Sequence, residues 1–180
     1  MALGATMYVF DIELADSDRG TYESLEVRVA RHPSEAPDYL IARVLAYCLE
    51  YTEGIAFSSG LSTPDEPAIA VRDLTGAMQS WIDIGTPSPE RLHRASKATP
   101  RVAVYTHKDV DQFVARLRGE RIHRIEALEA HALDRNLLAS LENRLARRLT
   151  LSLTVMEKHL YVSVGEESFT GVIERIALTG

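Results

Sequence analysis

Alternation of apolar and polar positions marks both ends of this chain, and helical spacing marks much of what lies between. Residues 5–14 (ATMYVFDIEL) and 22–30 (YESLEVRVA) alternate and are rich in β-branched and aromatic side chains. ADSDRG between them is dense in turn formers, so the pair predicts a long antiparallel hairpin. The period then changes. In RHPSEAPDYLIARVLAYCLEYTEG, the residues Leu40, Ile41, Val44, Leu45, Cys48 and Leu49 recur at helical spacing. Ser34 is the expected cap, Glu35 and Asp38 suit the positive end of the helix dipole, Pro37 is tolerated in the first turn, and Gly54 is the stop signal. The helix is therefore expected from Ser34 to about Tyr51, with IAFSSGLSTP as a short connection.

A tight hairpin follows. With Thr75 and Gly76 in its turn, Leu74 pairs with Ala77, Asp73 with Met78 and, further out, Ala68 with Asp83. That register places Ile69 and Val71 on one face with Ser80, Ile82 and Ile84. Ala68, Ala70 and Arg72 share the other face with Gln79, Trp81 and Asp83. Ser88 and Pro89 open the next helix as cap and first residue. RVAVYTH from Arg101 is a strand, and alternation of strand with helix here predicts a locally parallel arrangement. Lys108 to Leu117 reads as a helix and RIHRIEALE as a strand. Asp134 caps LLASLENRLARRL, whose buried stripe is Leu137, Leu138, Leu141 and Leu145. The last 30 residues predict a three-stranded antiparallel meander turned at Glu157-Lys158 and Gly165-Glu166-Glu167. These elements imply an α+β protein with an α/β-like core, a central mixed sheet flanked by helices, and antiparallel strands at both ends. With 180 residues the chain fits a single domain, 1–180.

Composition changes this picture little. The 46% hydrophobic and 26% charged content is that of an ordinary globular protein. No apolar run reaches the length of about 18 residues that spans a bilayer, and the alternating N-terminus reads as a strand and not a leader, so no membrane partner and a cytoplasmic location are expected. The single cysteine, Cys48, cannot close an internal disulfide and fits a reducing compartment as inert packing. Charge adds more. The net charge of −6 argues against indiscriminate nucleic-acid binding, yet residues 1–89 carry −9, residues 90–150 carry +5 and residues 151–180 carry −2. A basic segment inside an acidic protein suits either a phosphate-facing side or a solvated face.

The sequence holds no G-x-G-x-x-G, Walker A, H-E-x-x-H, paired CxxC or G-x-S-x-G pattern, which removes support for nucleotide-cradling, zinc and hydrolase-elbow chemistry and for an organic cofactor. The six histidines are scattered without ligand spacing. What remains is a constellation suited to phosphodiester hydrolysis, which needs a hard cation on two or three carboxylates and a basic group that steers water or offsets charge. Asp83 and Glu66 (or Asp65) are the candidate ligands for Mg²⁺ or Mn²⁺, Glu35 a supporting acid, and Lys97 or Arg94 the cation. Arg91, Arg94, Lys97 and Arg101 are the candidate nucleic-acid contacts. The same residues also read as surface carboxylates beside a basic helix face.

ARHPSEAPDYLIARVLAYCLEYTEGIAFSSGLSTPDEP, followed by RDLTG, WIDIG and VAVYTH, resembles the YaeQ family of bacterial proteins along essentially the whole chain. The RHPSE, GLST and WIDIG blocks are specific together. The resemblance implies a PD-(D/E)XK nuclease-like, or restriction-endonuclease-like, core, and lends no settled activity. Carried over by position, the superfamily's Pro-Asp falls on Pro67-Ala68, so its aspartate is missing. The (D/E)xK element falls on Asp83-Ile84-Gly85, keeping the acid and replacing the lysine by glycine. Lys97 or Arg94 on the next helix then stands for that lysine, and Glu35 matches the acid of the first helix. Three functions follow as alternatives: a metal-dependent nuclease-like enzyme, a non-catalytic nucleic-acid-binding module, or a protein-interaction module on a nuclease-like scaffold.

Overall fold

A computed structural model describes residues 4–58 and 65–179. Chain contacts divide it into two compact units, residues 1–49 with 133–173 and residues 50–132 with 174–180. The described residues form mixed α+β structure with two mixed sheets and four helices. No helix among them is long and apolar enough to cross a membrane. The GLST block lies outside the described residues.

The first unit is built on β1 (Thr6–Asp16) and β2 (Thr21–Arg31), paired antiparallel as their alternation predicts. The C-terminal meander also forms as expected: β8 (Arg148–Met156), β9 (His159–Val164) and β10 (Glu167–Val172). Glu157 and Lys158 both take positive φ, as a two-residue hairpin turn requires. Asp18 holds that turn by accepting the Glu157 and Lys158 N–H groups at 2.7 and 3.0 Å. β8 runs parallel to β1, giving the order β10-β9-β8-β1-β2. The inward positions Phe10, Ile12, Leu14, Leu153, Leu160 and Val162 are buried. Helices α1 (Pro37–Leu49) and α4 (Arg135–Glu142) pack on each other and on this sheet.

Two helix limits differ from expectation. Ser34 does not cap α1: its hydroxyl pairs with His32 Nδ1 at 2.8 Å, and the Ala36 carbonyl is the first acceptor, from Tyr39 and Leu40 N–H. Pro37, with no N–H to satisfy, then starts the helix, which ends at Leu49 and not Tyr51. Asp134 caps α4 as predicted, accepting from Asn136 and Leu137 N–H, but the helix stops at Glu142 and excludes Leu145. The chain must turn there, because the Arg147 carbonyl already bonds Val9 N–H at the start of the β1–β8 ladder. Cys48 lies fully buried in α1, where burial pushes its thiol pKa up to about 12. That agrees with inert packing.

The second unit carries β3 (Ile55–Phe57), β4 (Ile69–Arg72), β5 (Met78–Ile84), β6 (Arg101–Thr106), β7 (Glu129–Ala132) and β11 (Glu174–Arg175), in the order β11-β7-β6-β5-β4-β3. β3 was expected as connection. Three residues are too few to show a period, and pairing with β4 makes them a strand. The β4–β5 register is the expected one at Ile69–Ile82, Ala70–Trp81 and Val71–Ser80, so the two faces sort as predicted. A bulge then shifts Arg72 onto Met78. Asp73 thus does not face Met78 but caps the turn, accepting from Thr75, Ala77 and Gln79. Gly54 sits at φ 91° beneath Arg72, whose carbonyl oxygen a Cβ would meet at 2.0 Å. Its role is this close approach, five residues beyond the helix it was expected to end.

α2 (Pro89–Ala98) begins where predicted, with Ser88 accepting Arg91 N–H. β5, β6 and β7 are parallel, and α3 (Val110–Leu117) follows β6 behind its cap Asp109. The RIHRIEALE segment is not a strand. Arg124 adopts φ 52°, Ile125–Ala127 form a 3-10 turn, and β7 starts only at Glu129. Ile122, Ile125 and Leu128 recur every third residue, which suits a tight turn laid on a core and not a two-residue strand period. Ile122 and Leu128 indeed join Trp81, Leu92, Val104 and Phe113 in the core of this unit.

Candidate functional site

Asp83 occupies the second-last position of β5, a strand paired on both sides, and is 3% exposed. A carboxylate buried so deeply needs a counter-charge. The Ser88 cap fixes where α2 starts, and one turn later Arg91 reaches back to Asp83 with Nε–Oδ2 at 2.7 Å and Nη2–Oδ1 at 3.0 Å. The same guanidinium donates to the Glu66 carbonyl at 2.6 Å and lies over the Trp81 ring at 5.2 Å. One arginine thus ties strand, helix and the approach to β4 together. Its Nε and Nη2 engage the carboxylate side by side, a fit that lysine's point charge does not reproduce.

This geometry does not fit a Mg²⁺ or Mn²⁺ centre. A hard cation draws on free carboxylate oxygens, and both oxygens of Asp83 accept from Arg91. Position 68, where the resemblance expects the aspartate, contributes a methyl group. No cluster of three or more metal-capable side chains exists among the described residues. Glu35 belongs to the first unit, where its Oε2 lies 2.6 Å from Arg43 Nη2, both side chains being under a tenth exposed. Glu66 is half-buried and meets Arg91 through its backbone.

Gly85 stands where the lysine of the (D/E)xK element would. Its N–H donates to the Tyr105 carbonyl at φ 90°, a backbone state that L side chains rarely adopt. The glycine is therefore required by the strand's exit turn, and a lysine there would carry backbone strain.

The candidate cations separate into two groups. Arg91 and Arg101 are committed to carboxylates. Arg101 starts β6, and its register with Ser80 puts it on the sheet face opposite Asp83. There it binds Glu50 at 2.8 and 2.9 Å and Glu129 at 2.6 and 3.2 Å, while Tyr105 Oη donates to Glu50 at 2.7 Å. Burial alone would raise the Glu50 carboxyl pKa, but the hydrogen bonds and charge of Arg101 outweigh it and hold the group below its ordinary value. Burial and the neighbouring Glu50 push the Tyr105 phenol far up, so it stays a donor.

Arg94 and Lys97, by contrast, lie on the solvent stripe of α2 and form no ion pair among the described residues. Beside them runs the 119–124 segment. Its His123 N–H donates to His93 Nδ1 at 3.0 Å, and its His123 carbonyl accepts from Ser96 Oγ at 2.5 Å. Ile122 anchors the segment in the core, leaving Arg121, His123 and Arg124 exposed. The result is a basic edge of Arg94, Lys97, Arg121 and Arg124 around a histidine pair whose rings meet edge-on at 6.4 Å. Arg121 and Arg124 were not singled out from sequence. The charge of the segment was visible, but its docking on α2 rests on the buried Ile122 and on the hydrogen bonds of His123 to His93 and Ser96, contacts between residues distant in the chain.

The family model described as YaeQ protein matches residues 1–172. YaeQ of Salmonella typhi and YaeQ of Escherichia coli (strain K12) are each 29% identical over 164 residues, covering 91% of this chain and 91% of theirs. The crystal structure of YaeQ from Pseudomonas syringae superposes with a TM-score of 0.86 at 27% identity, covering 96% of both chains. That of YaeQ from Xanthomonas axonopodis pv. citri gives 0.84 at 27% identity, covering 95% of this chain and 97% of the other.

Proposed function

The chain belongs to the YaeQ family, and we propose that it is a non-catalytic nucleic-acid-binding module on a nuclease-like fold, gripping phosphates with the basic edge of its second unit. The carrying observation is a division among charged groups. Of the acids that would serve hydrolysis, Asp83 and Glu35 are each neutralised by an arginine, whereas Arg94, Lys97, Arg121 and Arg124 are exposed and without carboxylate partners among the described residues. Cations of that kind release counterions on meeting a phosphate backbone, which supplies sequence-independent affinity. The β4–β5 hairpin followed by α2 and parallel β6 supports the likeness to a PD-(D/E)XK core. In this reading Asp83 has become a structural anchor for the helix that carries the binding residues.

A labelled oligonucleotide, single-stranded or duplex, DNA or RNA, incubated with the full chain separates the alternatives. Binding without cleavage, with and without added Mg²⁺ or Mn²⁺, is the expected result. Metal-dependent cleavage lost in Asp83→Ala would instead establish the hydrolase, and absence of binding to every probe would leave the protein-interaction role.

A further inference from the structure

β2 closes the sheet of the first unit on one side, pairing with β1 and with no other strand among the described residues. Which of its backbone groups point outward follows from register. Val9 N–H donates to Arg147 across the β1–β8 ladder, so the odd residues of β1 address β8 and the even ones address β2. Because Phe10 pairs with Val27, the odd residues of β2 bond β1, and Tyr22, Ser24, Glu26, Arg28 and Ala30 turn their N–H and C=O groups to the open edge. The Ala30 carbonyl is met there by Arg43 at 2.8 Å. Proteins commonly blunt such an edge with charged side chains, proline, a bulge or a very short strand. Of these β2 has only charges, of both signs, and it runs for 11 residues, TYESLEVRVAR, in unbroken register.

We propose that β2 pairs antiparallel with β2 of a second copy of this chain, about a two-fold axis at Val27. In that register Glu26 of each copy faces Arg28 of the other, Ser24 faces Ala30, Leu25 faces Val29 and Glu23 faces Arg31. The charges select it. Only even residues can exchange backbone hydrogen bonds across this edge, so the axis must fall on a residue and not between two. An axis at Glu26 sets Glu26 against itself, one at Arg28 sets Arg28 against itself, and one at Leu25 leaves Glu26 opposite Ser24 and Arg28 opposite Tyr22. The axis at Val27 alone matches both charges, and by symmetry it does so twice. Glu26 and Arg28 already lie at 2.8 Å within one strand, their side chains 46% and 64% exposed, so pairing extends an existing ion pair across the joint.

Sedimentation velocity on the full chain over a range of concentrations tests this. Wild type is expected to populate a dimer. Glu26→Arg alone and Arg28→Glu alone should each weaken it about tenfold or more, because each change acts twice. The double variant Glu26→Arg/Arg28→Glu should return to within about threefold of wild type, as a charge swap that preserves the pairing. Far-ultraviolet circular dichroism unchanged in all three variants removes misfolding as the cause. A wild-type monomer at every concentration overturns the proposal, as does a dimer indifferent to the single changes or not restored by the swap.

Discussion

At the scale of single residues, the centre of this protein is an arginine holding a buried aspartate. Arg91 is 17% exposed and Asp83 4% by side chain, so removing the arginine strands a negative charge in the core. Arg91→Ala is expected to cost about 3–5 kcal/mol in urea unfolding, and a second change of Asp83 to alanine should recover part of that loss. The pair was half legible in sequence. Asp83 stood out as an acid at the end of an apolar strand, whereas Arg91 was one basic residue among several until the Ser88 cap fixed the phase of the helix. The Glu50–Arg101 pair gives the pH dependence. The folded-state pKa of Glu50 lies below its ordinary value, so its contribution is fully present above the unfolded value near 4.5 and is lost as pH falls through the folded one. Glu50→Gln should therefore lower stability at neutral pH and flatten the acid limb of the stability profile measured below pH about 4.5.

At the scale of elements, what could be read from the sequence was whatever carried its own period or its own punctuation. The two long hairpins, the Ser88-Pro89 start of α2, the Asp134 cap and the β4–β5 faces all formed as local pattern dictated. What escaped was fixed by partners distant in the chain. β3 is a strand because β4 needs an edge, and Ser34 lost its role to a histidine two residues earlier. RIHRIEALE reads as a strand, yet Ile122, Ile125 and Leu128 recur at every third position, the spacing of the tight turn that forms there. The Glu157-Lys158 turn offers a direct check on element energetics. Both residues hold φ near +60°, at 50° and 64°, which L side chains tolerate poorly. Replacing them with Asn-Gly should raise stability by about 1 kcal/mol in thermal or urea unfolding, with Asp18 still accepting both turn N–H groups.

At the scale of the whole molecule, a net charge of −6 conceals the arrangement that matters for binding. Acidic residues dominate before position 90, and the basic excess falls between 90 and 150, but not all of that excess is available. Arg91 and Arg101 are spent on internal carboxylates, and Arg144 and Arg148 are paired with Glu167 and Asp11. Counting charge along the sequence therefore overstated the binding surface and misplaced part of it, because ion pairing between distant residues has no local signature. The cations proposed to grip phosphate are those of α2 and the segment docked on it, and Arg116 and Arg118, at the end of α3, are exposed in the same unit. If they meet nucleic acid, they must do so through phosphates, and the most direct measure is the salt dependence of oligonucleotide affinity by fluorescence anisotropy, for wild type and for Arg94→Ala/Lys97→Ala. About four phosphate contacts give a slope of about −3.6 in log affinity against log salt on duplex DNA, and removing two cations should reduce its magnitude by about 1.8. A salt-independent affinity, or a slope unchanged by the double substitution, would contradict the account.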